Sequence, residues 1–91
     1  MIKAVIIDDE PAMQEVNSRL LADYFPGIKL MGKADSVETG VRLIQTVEPD
    51  LVLLDIEIKG GSGFQILQQL RPYKFKVVFI TAFDNYAIKA I

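Results

Sequence analysis

Leu51-Val52-Leu53-Leu54-Asp55 is the stretch on which the reading of this chain turns. Four apolar residues in a row, without polar alternation, describe a strand covered on both faces. Such strands belong to parallel sheets flanked by helices. The run stops at a carboxylate. Working outward, Ile2–Ile7 repeats the arrangement: a short, β-branched-rich run that ends in Asp8-Asp9-Glu10. Val77-Val78-Phe79-Ile80 repeats it again and ends at Thr81, and Ile28–Ala34 is a weaker run of the same kind.

Helical signals fill the gaps. Pro11 suits the first turn of a helix, where its missing N–H costs nothing. Ala12, Val16 and Leu20, with Met13 and Leu21, predict one apolar face, and Pro26-Gly27 ends it. Asp35 or Ser36 can cap a second helix, striped by Val37, Val41, Ile44 and Val47 and stopped by Pro49-Asp50. A loop with Gly60, Gly61 and Gly63 follows, with Ser62 as the cap of a third helix striped by Phe64, Leu67 and Leu70, which Pro72 closes. From Phe83 the pattern is helical once more, through Tyr86, Ala87, Ala90 and Ile91. This alternation predicts βαβ units: an α/β, doubly wound parallel sheet with helices on both faces, in one domain over residues 1–91.

Composition narrows the chemistry. The 91 residues contain no Cys, no His and no Trp. That excludes disulfides, thiolate or imidazole metal ligation, and Cys-His or Ser-His-Asp catalysis. The 51% hydrophobic share supplies a packed core, and the net charge of −2 leaves no electrostatic footprint for nucleic acid. The apolar runs fall far short of a membrane span. The first residues reach Asp8-Asp9-Glu10 too soon for a secretory signal, so the expected location is cytoplasmic.

In an open parallel sheet, ligands bind beyond the carboxyl ends of the strands, at the switch in strand order. If the first and third strands are neighbours, Asp8, Asp9 and Asp55 converge there. Three anions so close repel, and either a proton or a cation must intervene. Oxygen donors alone point to a hard cation, Mg²⁺ or Mn²⁺. A single Asp after a strand is commonly a cap or turn residue; a pair on one strand meeting a third on another marks a site. The glycine loop has no phosphate-cradling pattern. Tyr24, Tyr73 and Tyr86 read as packing residues.

Val5-Ile6-Ile7-Asp8-Asp9-Glu10-Pro11, Leu53-Leu54-Asp55-Ile56-Glu57, Gly61-Ser62-Gly63-Phe64 and Phe79-Ile80-Thr81-Ala82 resemble, in order and spacing, the motifs of a two-component response-regulator receiver domain. The tail, Thr81 to Ala90, is similar to receivers that precede LytTR-type DNA-binding domains. The resemblance implies a flavodoxin-like fold and a regulatory domain that is not an enzyme. Asp55 would accept a phosphoryl group from a sensor histidine kinase. Asp8 and Asp9 would hold Mg²⁺ with Asp55 and the backbone carbonyl of Glu57. Thr81 would hydrogen-bond a phosphoryl oxygen, and Ala82 would leave space beside it. A haloacid-dehalogenase-type phosphatase would want Asp-x-Asp followed by Thr; here Ile58 follows Asp55-Ile56-Glu57.

The family's loop Pro is replaced by Ile58-Lys59-Gly60. The family sheet runs 2-1-3-4-5. This sequence supplies four strand signals, order 2-1-3-4, with no counterpart of the fifth strand, its Lys or the last helix; Lys89 lies in a predicted helix. The expectation is a receiver truncated at its C-terminus, with any DNA-binding output domain in a longer parent and no nucleic-acid contact in this segment. Leaving four large apolar side chains uncovered would cost roughly 6–12 kcal/mol, comparable with the stability of a whole domain. Self-association through the fourth strand or fourth helix is therefore expected, and a fragment that associates without productive phosphorylation is the alternative reading.

Overall fold

The structure, a computed structural model, describes residues 1–80. In chain order the elements are β1 (Ile2–Ile7), α1 (Pro11–Tyr24), β2 (Ile28–Ala34), α2 (Val37–Val47), β3 (Leu51–Asp55), β4 (Glu57–Ile58), β5 (Gly61–Ser62), α3 (Gly63–Leu70) and β6 (Lys76–Ile80). The unalternating apolar runs are the inner strands. β1 is flanked by β2 and β3, β3 by β1 and β6, and every pairing is parallel. The order β2-β1-β3-β6 is the expected 2-1-3-4, with β6 as the fourth strand. The glycine loop after Asp55 holds one unexpected element, the two-residue antiparallel ladder β4–β5.

Strand side chains alternate between faces, and the core divides accordingly. Val5, Ile7, Val52 and Leu54 pack with Val37 and Ile44 of α2 and Ile66 of α3. Ala4, Ile6 and Leu53 pack on the other side with Leu21 of α1. This two-sided cover is the reason neither β1 nor β3 shows a polar alternation.

The helix ends follow their capping chemistry. Of the two candidate caps, Ser36 starts α2. Its hydroxyl accepts from the Thr39 N–H at 3.1 Å, and the Thr39 hydroxyl accepts from the Ser36 N–H at 3.1 Å. Ser62 starts α3: its Oγ accepts from the Phe64 N–H at 3.1 Å and its N–H donates to Gln65 Oε1 at 2.7 Å. α2 ends on Glu48, which holds a left-handed φ of 52°. A Cβ is disfavoured there and a glycine is not. Glu48→Gly is therefore expected to raise the unfolding free energy by about 0.5–1 kcal/mol, after allowing for glycine's larger entropy loss; a urea melt checks it.

α1 departs in part from the expected face: Met13 and Leu21 turn inward as expected, and the rest does not. Ala12, Val16 and Leu20 are exposed, and Leu21 is the one buried residue of the helix. Met13, Gln14, Asn17 and Ser18 are half-buried. Successive helical residues are about 100° apart, so a ridge read from Ala12 misses the ridge carrying Leu21. The inward side joins the expected Met13 and Leu21 to polar Gln14, Asn17 and Ser18, and two of these fold back on the helix: Asn17 Nδ2 donates to the Met13 carbonyl at 3.0 Å and Ser18 Oγ to the Gln14 carbonyl at 2.8 Å. Tyr24 is 70% exposed and is no packing residue. Tyr73 is one, stacked on Phe75 with ring centroids 4.5 Å apart. Among the described residues no helix is long and apolar enough to cross a membrane.

Candidate functional site

β1 and β3 lie side by side with Ile7 opposite Leu54. The residues that follow these two therefore emerge together at the carboxyl edge of the sheet. They are Asp8, just past β1, and Asp55, the last residue of β3. Both are buried, at 2% and 8% exposure, the two buried charged residues among those described. Asp9 is half-buried beside them. One carboxylate oxygen from each of Asp8, Asp9 and Asp55 lies within 4.8 Å of the other two.

The backbone fixes this arrangement. The Asp8 N–H donates to the Ala34 carbonyl at 3.0 Å, extending the β1–β2 pairing by one residue. Asp8 Oδ1 accepts from the Glu10 N–H at 2.9 Å, which turns the chain towards α1. On the other side of the site, Gly60 (φ 88°) and Gly61 (φ 146°) make the β4–β5 turn in conformations open to glycine. That turn is tied down twice: the Val37 N–H donates to the Lys59 carbonyl at 2.9 Å and the Gly63 N–H to the Ile56 carbonyl at 2.8 Å.

Repulsion and burial act on the cluster together. Burial pushes the Asp55 carboxyl up to about 6, and the charges of Asp8 and Asp9 add to the rise. The N–H groups of Ile56 and Glu57 oppose it. Asp8 is raised as well, first by burial and then by Asp9, against the Glu10 N–H and the neighbouring Asp55 carboxyl. The ion pairs among the described residues, Arg42–Glu38 at 2.8 Å and Lys59–Asp35 at 3.8 Å, leave the cluster out. Converging anionic oxygens without a positive partner among the described residues fit a hard divalent cation of the Mg²⁺ or Mn²⁺ type.

Asp8, Asp9 and Asp55 are thus brought together as expected. Glu57 lies two residues beyond Asp55 in β4, with its side chain exposed. Thr81 and Ala82 lie outside the described residues, as do Lys89, Tyr86 and the helix expected from Phe83. Sequence reasoning missed Gln14. Its amide nitrogen donates to the carbonyls of Asp8, at 2.7 Å, and Ala34, at 3.1 Å. The usable signal was an amide one and a half turns past the acidic pair, on what proves to be the inward ridge of α1.

An open parallel sheet with three aspartates converging at its carboxyl edge is the architecture of this chain's acid cluster. The chain belongs to the response regulator receiver domain family, whose pattern matches residues 4–91. The transcriptional regulatory protein BtsR of Escherichia coli (strain K12) is 37% identical over 91 residues, taking in 99% of this chain and 38% of BtsR. The chain thus spans well under half the length of the curated relatives it matches. A signal receiver domain from Mycobacterium tuberculosis superposes with a TM-score of 0.82 at 29% identity, covering 91% of this chain and 68% of that one. A LuxR-family response regulator from Aurantimonas sp. SI85-9A1 superposes with a TM-score of 0.82 at 23% identity, covering 99% and 66%, and speaks to the fold alone. The LytTR-type reading of the tail gains no support from these relatives, and the tail lies outside the described residues.

Proposed function

We propose that this chain is a phosphoryl-accepting signalling module in which Asp55 is the acceptor. The observation that carries the reading is the convergence of Asp8, Asp9 and Asp55 within 4.8 Å at the carboxyl edge of the sheet. A carboxylate oxygen of Asp55 attacks the phosphorus of a sensor kinase's phosphohistidine. The P–N bond breaks, its electron pair stays with the imidazole, and an acyl phosphate forms on Asp55. Asp8, Asp9, Asp55 and the Glu57 carbonyl would hold Mg²⁺ or Mn²⁺, which supplies charge neutralisation for the incoming phosphoryl oxygens. Asp8 is anchored through its own N–H and through Oδ1, so its position survives repulsion from Asp55. The N–H groups of Ile56 and Glu57 hold Asp55 towards its charged, nucleophilic form. Thr81 would donate to a phosphoryl oxygen, with Ala82 leaving room beside it. The module would work in the cytoplasm, as part of a longer transcriptional regulator such as BtsR is described to be, with the DNA-binding part outside this segment.

The test is beryllofluoride or acetyl phosphate with Mg²⁺. The wild-type chain should change its amide NMR spectrum around Asp55, and Asp55→Asn should not. An unchanged wild-type spectrum at saturating reagent would refute phosphoryl acceptance.

The exposed strand favours the associating-fragment reading as a second one. The outer edge of β6 pairs with no strand among the described residues, and its Val78 is 38% exposed. Such an edge is a template for another chain. Sedimentation of the 91-residue chain at micromolar concentration should show dimers or larger species, in Asp55→Asn as in wild type. A cooperatively folding monomer would remove this reading.

A further inference from the structure

We propose that Gln14 is a positioning residue for the cation site, acting through the main chain of Asp8. The inference rests on the reading of the acid cluster given above and adds to it a residue on a different element. Gln14 Nε2 reaches from the second turn of α1 to two carbonyls at once, Asp8 at 2.7 Å and Ala34 at 3.1 Å. Both partners are acceptors only, so the side-chain nitrogen and not the oxygen must face them. The Ala34 carbonyl also receives the Asp8 N–H at 3.0 Å. One amide thus clips the carboxyl ends of β1 and β2 to α1, the helix that connects them.

This clip sits where the like charges of the site meet. Asp8 and Asp9 occupy the crossing from β1 to α1, and their charges repel Asp55 and each other. The crossing has its own turn bonds, Asp8 Oδ1 with the Glu10 N–H and the Glu10 carbonyl with the N–H groups of Met13 and Gln14. Those bonds are local and would move with the turn. Gln14 ties the turn to β2, an element outside it. Without that tie, the Asp8 carbonyl has no partner outside the turn, the peptide between Asp8 and Asp9 is held only by the bonds of its neighbours, and the common aim of the two carboxylates loosens. Groups that orient metal ligands in this way change metal affinity about 10- to 100-fold when removed.

The experiment is a Mn²⁺ titration of the metal-free chain at pH 7.5, followed by the electron paramagnetic resonance of the free ion. Wild type is compared with Gln14→Met, Gln14→Glu and Leu21→Ala. Methionine keeps the length and loses the donor. Glutamate adds a negative charge near the site, which by charge alone would tighten Mn²⁺ binding, but it sets a carboxylate against two carbonyls. Leu21→Ala removes buried packing from the same helix without touching the site. Both Gln14 variants should bind Mn²⁺ about 10-fold more weakly, and Leu21→Ala should stay within about twofold of wild type. Thermal melts identify a variant that has not folded; the other Gln14 variant then decides. Wild-type affinity in the folded Gln14 variants, tighter binding by Gln14→Glu, or an equal loss in Leu21→Ala overturns the proposal while leaving the acid cluster as the cation site. If the wild type takes up no Mn²⁺, both readings fall together.

Discussion

Asp55→Asn is expected to abolish the response to acetyl phosphate and, in the absence of divalent cations, to make the chain more stable at pH 7.5. The first effect follows from losing the nucleophilic carboxylate, since the amide cannot form the acyl phosphate. The second follows from the cost of burying that carboxylate beside Asp8. In the folded chain the Asp55 carboxyl sits at about 6, against an ordinary value of 3.8. Between those values the folded chain binds more protons than the unfolded one. Stability is therefore fully present below the ordinary value, falls as pH rises through the window, and levels off above the folded value. With solvent reaching the edge of the site and the proton shared with Asp8, that displacement corresponds to about 1–3 kcal/mol. Asp8 is raised too and touches Asp55, so the proton leaves a pair and not a single residue.

The measurement is the urea midpoint of wild type and Asp55→Asn at pH 4, 5, 6 and 7.5, with and without Mg²⁺. Without Mg²⁺ the two should melt alike at pH 4, and the variant should gain up to about 3 kcal/mol by pH 7.5. Millimolar Mg²⁺ should recover most of that difference in the wild type, because a ligand held only by the folded state stabilises it by mass action. A difference that is the same at pH 4 and pH 7.5 would show that Asp55 carries no buried charge.

How much of this could be read from residues alone depends on the kind of signal. Leu51–Leu54 and Ile2–Ile7 announced buried parallel strands because burial on both faces removes polar alternation, and their shortness, β-branched content and flanking turn residues set them apart from a buried helix segment. With these two strands adjacent, the meeting of Asp8, Asp9 and Asp55 followed from topology. Ser36, Ser62 and Pro11 were legible because capping is local. The face of α1 was legible only in part. Hydropathy ranks Val16 and Leu20 above Asn17 and Ser18, yet the latter face inward because each satisfies itself on its own helix. The β4–β5 ladder was hidden as well, since two residues per strand give no periodicity. Gln14 was faint for a deeper reason: its place after the acidic pair is a signal, but its partners are main-chain carbonyls, which leave no mark on the sequence.

Two glycine substitutions that would each press a Cβ into a neighbour should have different outcomes. At Gly63 a Cβ would meet the Asp55 carbonyl oxygen first, then Leu54 Cγ at 2.8 Å. The nearest of these is backbone of β3, which is locked between β1 and β6 and cannot yield. α3 must lift instead, loosening the fully buried Ile66 and the Gly63 N–H bond to the Ile56 carbonyl. Gly63→Ala is expected to cost about 3 kcal/mol, the upper end for overpacking, and to weaken Mg²⁺ binding by shifting the Asp55 peptide. At Gly32 a Cβ would meet Leu43 Cδ1 at 2.8 Å, but the remaining contacts, Cδ2 at 3.6 Å and Cγ at 3.8 Å, belong to that same side chain. Leu43 is half-buried and can change rotamer, and β2 is an edge strand that gains from a residue stiffer than glycine. Gly32→Ala should lie within about 0.5 kcal/mol of wild type. Urea melts of the two variants side by side separate a clash with fixed backbone from a clash with a movable side chain. Equal losses at both positions would mean that α3 is free to move off β3, and that the close seating of Gly63 on Asp55 plays no part in holding the acceptor.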